Sequence, residues 1–132
     1  EIMGERPKHL GVLNAVAEKA GWGKPLPKGV FRGIAQFMGY GSYSAAVAEV
    51  SVSGKGEVKV HRMVFALDCG NYVNPDQVAA QIEGSVAYGM TTLLSEISVD
   101  AGRVVETNFH NFQVMKIKEM PKVEVILPVT GD

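Results

Sequence analysis

Met63-Val64-Phe65-Ala66-Leu67 runs without a charge into Asp68-Cys69-Gly70-Asn71-Tyr72-Val73, and from there into Asn74-Pro75-Asp76-Gln77-Val78-Ala79-Ala80-Gln81-Ile82-Glu83-Gly84. That order predicts a buried strand, a glycine turn and a helix. Asn74 can cap the first helical turn with its side-chain oxygen, Pro75 suits a position where the missing N–H has no partner to lose, and Gln77 completes an Asn-x-x-Gln capping box. From Asp76 to Glu96 the only charged residues are Asp76, Glu83 and Glu96. Val78, Ile82, Val86, Gly89 and Leu93 recur at helical spacing, and Ala79, Ala80, Ala87, Met90 and Leu94 fill much of the remaining surface. A helix so poor in charge is expected to be buried on most sides. Gly84 and Gly89 each weaken a helix by up to ~1 kcal/mol relative to alanine, so another backbone or a ligand is expected close by. Gln81, one turn before Gly84, is then an amide on a buried helix, and leaving it without partners there would cost ~1–3 kcal/mol.

Upstream, residues from Pro7 to Ala20 read as an amphipathic helix whose inner stripe is Leu10, Leu13, Val16, Ala17 and Ala20. Gly21 stands in the C-cap position, with Trp22 folded back over that end. Gly23-Lys24-Pro25-Leu26-Pro27-Lys28-Gly29, with two prolines and two glycines, reads as an extended surface connection to a first strand near Phe31 to Met38. Alternation in Val47-Ala48-Glu49-Val50-Ser51-Val52 marks a strand with Ala48, Val50 and Val52 on one face. Ser53-Gly54-Lys55-Gly56 then makes a hairpin with Val58-Lys59-Val60-His61-Arg62, which continues into the apolar run. Downstream, Ile97-Ser98-Val99, Val104-Val105 and Val123-Glu124-Val125-Ile126-Leu127 read as further strands of the same sheet. The predicted class is α+β: a mixed β-sheet with one N-terminal amphipathic helix and one buried central helix, in a single domain over residues 1–132.

Composition narrows the function classes. With 132 residues, 46% hydrophobic and 20% charged, the chain can build one domain with a real core. A net charge of −1 with no basic block argues against a nucleic-acid partner. The single cysteine excludes an internal disulfide and a cysteine cluster for zinc or iron–sulfur, and leaves cytoplasm and periplasm equally open. No segment approaches the ~18 consecutive apolar residues of a membrane span.

The ordered series Asp68-Cys69-Gly70, Val73-Asn74-Pro75-Asp76, Gln81-Ile82-Glu83-Gly84, Gly89-Met90, Gly102-Arg103-Val104, Asn108-Phe109-His110 and Met120-Pro121-x-Val123-Glu124-Val125 resembles the molybdenum-binding subunit of the xanthine dehydrogenase and aldehyde oxidase family. Its flavour is that of isoquinoline 1-oxidoreductase beta subunits and related aldehyde dehydrogenases. Gly33-Ile34-Ala35, Gly41-Ser42-Tyr43 and Val47-Ala48-Glu49-Val50-Ser51-Val52 extend the resemblance over essentially the whole chain. The resemblance implies a molybdopterin cofactor in a longer parent protein, with oxidation of aldehydes or N-heterocycles by water. Electrons would leave through [2Fe-2S] centres on a partner small subunit. It also implies that the general base, a glutamate in a Gly-x-Gly-Glu segment, lies beyond Asp132. The 132 residues by themselves are therefore expected to be inactive and to hold no cofactor.

Gln81 matches the glutamine of that family's Gln-x-Glu-Gly motif, which the resemblance assigns to hydrogen bonds with the pterin. Taken without the resemblance, a buried helix glutamine more often satisfies backbone groups. Ser85 stands where relatives often carry a second glycine. Glu83 reads as a solvated or ion-paired carboxylate rather than an acid–base catalyst, and Cys69 as a small hydrophobe. His110 reads as a structural histidine held by backbone hydrogen bonds, since His9 and His61 lie in unrelated segments. Gly39-Tyr40-Gly41-Ser42 lacks the Gly-Lys-Ser/Thr ending of a phosphate loop, and Asp76 competes for the anion-attracting start of the Pro75 helix. Two other readings suit the same residues: a non-catalytic scaffold domain of this fold, and an unrelated small-molecule-binding α+β domain whose helix glycines serve only packing.

Overall fold

In the computed structural model, which describes residues 6–128, α1 (Pro7–Ala20) leads to the strands β1 (Val30–Gly39), β2 (Ser42–Val52) and β3 (Val58–Asp68). The helix α2 (Pro75–Leu94) follows, then the short strands β4 (Val99–Asp100) and β5 (Arg103–Val104), a 3-10 turn at Ile117–Glu119, and β6 (Lys122–Ile126). Two helices and a mixed four-stranded sheet are the expected α+β class. The chain ends on which the expectation of a longer parent rests lie outside the described residues. Two compact units form: one runs to Ala79 and resumes at Pro121, and the other is Ala80–Met120.

The sheet of the first unit has the order β1-β2-β3-β6. β1, β2 and β3 are antiparallel neighbours, and β6 pairs parallel to β3. Gly39 pairs with Ser42 across Tyr40 and Gly41, which have φ of 53° and 77°. Two consecutive left-handed residues give the two-residue turn whose twist matches that of a hairpin, and glycine takes the second place without steric cost. The stretch that superficially suggests a phosphate loop is therefore a hairpin turn.

Strand alternation sends Ala45 and Val47 of β2 and Val64 and Ala66 of β3 to the face that receives α1. There they form the core with Val12, Val16 and Ala20. Val12, Val16, Val47 and Val64 are fully buried, and each such side chain stabilises the fold by ~1.5–3 kcal/mol relative to exposure. The expected helix boundaries hold, but the inner stripe is rotated. Val12 lies at its centre, Leu13 is only partly covered, and Leu10 is 38% exposed. Apolar side chains cover more of α1 than one stripe needs, and the twisted sheet selects among them. Ala48, Val50 and Val52, the residues whose alternation marks β2 in the sequence, occupy the opposite face of the sheet. A bulge at Glu49/Val50 interrupts the β2–β3 pairing, and Ser51 Oγ lies 2.7 Å from His61 Nε2 beside it.

The C-terminal end of α1 is closed in two ways. Gly21 at φ 67° donates its N–H to Glu18 O at 3.0 Å and Trp22 donates to Ala17 O at 2.8 Å, the αL termination expected of a glycine C-cap. Trp22 itself stays 47% exposed rather than folding fully over the helix end. Arginine side chains from the sheet reach the same end. Arg32 Nη1 donates to Gly21 O at 2.6 Å while its Nη2 holds Glu49 Oε1 at 2.8 Å. Arg62 reaches Lys19 O at 3.4 Å and grips Glu124 of β6 with two 3.0 Å bonds. Cationic groups at a helix C-terminus complement its dipole, and the Arg62–Glu124 pair ties β6 to β3 across their parallel register.

Two expectations need correction. β4 and β5 do not join the main sheet; they pair only with each other, around Ala101 and Gly102. Each is two residues long and exposed, with Val99 opposite Val104 as the one apolar pair. Nor is the central helix buried on most sides. Along α2 only Ile82, Val86, Met90 and Thr91 are buried, while Tyr88 is 74% and Leu93 81% exposed. Apolar composition makes burial favourable, but burial needs covering layers, and the chain supplies cover for one stripe.

The Arg62 and Lys122 side chains hold the Glu124 carboxyl at about 2, down from 4.5. Its folded value lies below its unfolded one, so its contribution is complete above the unfolded value of 4.5 and is lost as pH falls toward about 2. Glu124→Gln is expected to destabilise the first unit by about 1–3 kcal/mol at neutral pH and to flatten the acid limb of stability across that window. Thermal melts of wild type and variant along a pH series check this; parallel acid limbs would remove Glu124 from the account.

Candidate functional site

β3 ends at the buried Asp68, whose Oδ1 accepts the Gly70 N–H at 3.0 Å as Gly70 turns left-handed at φ 72°. The chain then enters α2 as the sequence predicts. Asn74 Oδ1 accepts the N–H groups of Asp76 at 2.9 Å and Gln77 at 3.4 Å, meeting donors that have no partner inside the helix. Among the described residues the reciprocal bond from the Gln77 side chain is not made, so the cap is one-sided.

In the second unit, α2 presents two contrasting stripes. Ile82, Val86 and Met90 are spaced one turn apart and buried. About half a helical circumference away, Gln81, Gly84, Ser85, Tyr88 and Thr92 are exposed and carry no charge. Two hydroxyls of this stripe are already engaged, Ser85 donating to Ile82 O and Thr92 to Gly89 O, each at 2.7 Å, while the Tyr88 phenol is exposed. Gln81 differs. Its side-chain amide has no hydrogen-bond partner among the described residues, leaving N–H donors and a carbonyl oxygen toward solvent. The expectation of a buried, satisfied Gln81 is thus corrected: it is exposed. A Cβ added at Gly84 or Gly89 would meet nothing within 4 Å, so no neighbour among the described residues requires either glycine.

The far end of the helix is tied down by its own unit. Thr91, buried, donates to Ala87 O at 2.7 Å and accepts the Met115 N–H at 3.0 Å, while Ser95 donates to Gln113 O at 2.5 Å. Ser98 donates to Glu106 through its N–H at 2.6 Å and its hydroxyl at 2.9 Å, and these bonds hold the Glu106 carboxyl below its usual range. Asn111 organises the adjoining loop: Oδ1 accepts the Thr107 and Asn108 N–H groups, both at 3.1 Å, and Nδ2 donates to Val105 O at 2.7 Å. This is the role expected of His110, which instead is exposed and makes no side-chain hydrogen bond among the described residues. The sequence signal for Asn111 was the ability of a short amide to bond backbone groups a few residues away.

Neither the cleft of about 600 Å³ lined by Thr92, Leu94, Ile97 and Phe112 nor the smaller one lined by Glu106, Asn108, Phe109 and Phe112 includes Gln81. Glu83 is exposed and Cys69 half-buried. Among the described residues, no group of three or more His, Cys, Asp or Glu side chains could hold a metal ion, and no helix is long and apolar enough to cross a membrane. The stripe at Gln81 can therefore bind a polar group by neutral hydrogen bonding, and it carries no carboxylate, imidazole or thiol.

Residues 17–121 match the family of molybdopterin cofactor-binding domains. Isoquinoline 1-oxidoreductase subunit beta of Brevundimonas diminuta is 31% identical over 94% of this chain and 16% of its own length. A membrane-bound aldehyde dehydrogenase of Gluconacetobacter polyoxogenes, named for pyrroloquinoline quinone, is 29% identical over 98% of this chain and 18% of its own. Among solved structures, Cu,Mo-CO dehydrogenase superposes with a TM-score of 0.63 and 26% identity over 67% of this chain and 12% of that one. Quinoline 2-oxidoreductase from Pseudomonas putida 86 shares the fold with a TM-score of 0.63, at 24% identity over 69% of this chain and 12% of its own. The chain thus spans less than a fifth of these relatives, with 16% and 18% of the two curated proteins.

Open space around Gly84 makes a direct test possible. Gly84→Ala is expected to stabilise the 132-residue chain by up to about 1 kcal/mol, the propensity difference between glycine and alanine in an exposed helix. Chemical denaturation followed by circular dichroism checks it; a loss of stability would show that the glycine already serves a contact inside this chain.

Proposed function

Since the chain belongs to the molybdopterin cofactor-binding domain family, we propose that it contributes one wall of the cofactor site in a molybdenum hydroxylase oxidising aldehydes or N-heterocycles, with Gln81 as its contact to the pterin. The observation that carries the reading is the exposed, unpartnered Gln81 amide one turn before Gly84, where the helix surface is open. An amide in such a place gives the chain nothing internally. Against a pterin it gives directional donors and an acceptor without adding charge to a group whose electronics matter for redox chemistry. Glycine at the next turn lets that group approach the backbone closely, which gives Gly84 a use that no neighbour among the described residues provides.

When bound, the cofactor supplies the two-electron oxidation in which water provides the oxygen. The protein's part here is holding and orientation. Gln81 fixes the group through hydrogen bonds, the Ser85 hydroxyl stays turned to the Ile82 carbonyl, and the buried stripe Ile82, Val86 and Met90 keeps the helix face in place. No general base stands on this stripe, so proton abstraction from water falls to a residue elsewhere in the protein; the expected Gly-x-Gly-Glu glutamate is the candidate. Electron exit through [2Fe-2S] centres of a partner small subunit belongs to the same reading, as does the inactivity of the 132 residues in isolation.

Metal and pterin analysis of the full-length protein tests the assignment. Molybdenum and oxidised pterin released in equal amounts are expected; a quinone without molybdenum would favour the chemistry named for the Gluconacetobacter relative and sink this one. Gln81→Ala is expected to weaken cofactor retention about tenfold, the loss of roughly one good hydrogen bond. Its unfolding free energy should stay within about 0.5 kcal/mol of wild type, as for an exposed substitution. Full loading and full activity in Gln81→Ala would remove the residue from the site.

A further inference from the structure

On the exposed stripe of α2, Gln81 is one of two side chains whose hydrogen-bonding groups are unused among the described residues. The other is Tyr88, 74% exposed, with no partner for its phenol among those residues. The two stand seven positions apart, which on a helix is about 10 Å along the axis with only ~20° of rotation around it. Between them lie Gly84, which has no side chain, and Ser85, whose hydroxyl is turned back to Ile82 O. The helix surface there is a low step without charge or free polar group, with an amide before it and a phenol after it.

Direction decides what Tyr88 overhangs. Helix side chains lean toward the N-terminus, so a residue covers the patch over the turn before its own Cα. For Tyr88 that patch is Gly84 and Ser85. A Cβ built on Gly84 would nevertheless meet no atom within 4 Å, so the ring stands clear of the glycine and leaves a slot above it. A flat heterocycle entering that slot has helix backbone beneath it and an aromatic ring beside it. Ring contacts are favourable in offset or edge-to-face geometry, and tyrosine offers one with two torsions to freeze and no charge. We propose that Tyr88 is a second holder of the pterin, its ring lying against the heterocycle that Gln81 hydrogen-bonds. This rests on the cofactor reading and adds to it a contact two turns beyond Gln81, outside the Gln-x-Glu-Gly motif.

The test uses the full-length protein with its cofactor. Tyr88→Ala is expected to release molybdenum and pterin on dialysis about tenfold faster than wild type, and Tyr88→Phe, which keeps the ring, within about threefold of wild type. Retention in Tyr88→Ala equal to wild type would overturn the proposal, and so would equal losses in the Phe and Ala variants. A second measurement separates contact with the cofactor from contact with polypeptide. With Tyr88 replaced by a phenylalanine bearing a photoreactive diazirine, irradiation is expected to leave the peptide containing position 88 with the added mass of a pterin; adducts with polypeptide alone would overturn the proposal. If Tyr88→Ala does not fold, the Phe variant and the crosslink still decide. A wild-type protein holding no pterin would sink the cofactor reading together with this inference, whereas cofactor loss in Gln81→Ala with purely polypeptide adducts at position 88 would sink this inference alone.

Discussion

The contact on which the first unit depends is that of α1 with the middle of its sheet. Val12 and Val16 against Val47 and Val64 exclude water completely, and small residues at Ala20, Ala45 and Ala66 let helix and sheet close together. Because strand side chains alternate, fixing Val47 and Val64 against the helix fixes the facing of their neighbours along β2 and along β3 from Arg62 to Asp68, up to the bulge. Glu49 and Arg62 come to the α1 side as a result, and with Arg32 and Glu124 they build an ion-paired cluster against the C-terminal carbonyls of the helix. That cluster holds β6, the strand by which the chain returns after the whole of the second unit. A five-residue parallel edge strand has little pairing of its own, so two charge-assisted bonds from Arg62 are a large share of what fixes its register.

The same alternation leaves a second set of apolar residues on the face of the sheet turned from α1, Phe31 and Phe37 of β1 among them. A strand whose odd and even residues are both apolar cannot hide both from water with a single helix. What one set of residues gains beneath α1, the other set lacks until a second layer is present. α2 shows the parallel situation in a helix: Ile82, Val86 and Met90 are satisfied, while Tyr88, Leu93 and Leu94 are exposed. Both elements carry more apolar surface than 132 residues can enclose, which accords with membership of a family whose matched members are several times longer.

Much of this was legible in the chain itself. The bounds of α1, the Gly21 termination, the Asn74 cap with Pro75, the hairpin of β2 with β3 and the mixed sheet all follow from local chemistry: periodicity, a left-handed glycine, a side-chain oxygen at a helix start. Failures cluster where a residue's environment depends on something distant in sequence. Val12 was passed over because a helix with several apolar stripes does not announce which one the sheet will choose. Asn111 holds the loop in the role expected of His110 because loop hydrogen bonding depends on backbone path. β4 and β5 read as strands of the main sheet because pairing partners leave no mark in the sequence of so short a segment.

Gln81 shows the division most clearly. Sequence alone determined that an uncapped amide sits on a nearly uncharged helix one turn from a glycine, because residue type and helical spacing are properties of neighbouring positions. Only the tertiary structure decided that the amide faces outward, unpartnered, opposite the buried stripe of Ile82, Val86 and Met90. Burial is set by which surfaces the rest of the chain brings to a helix, and that is a sum over residues far apart in sequence.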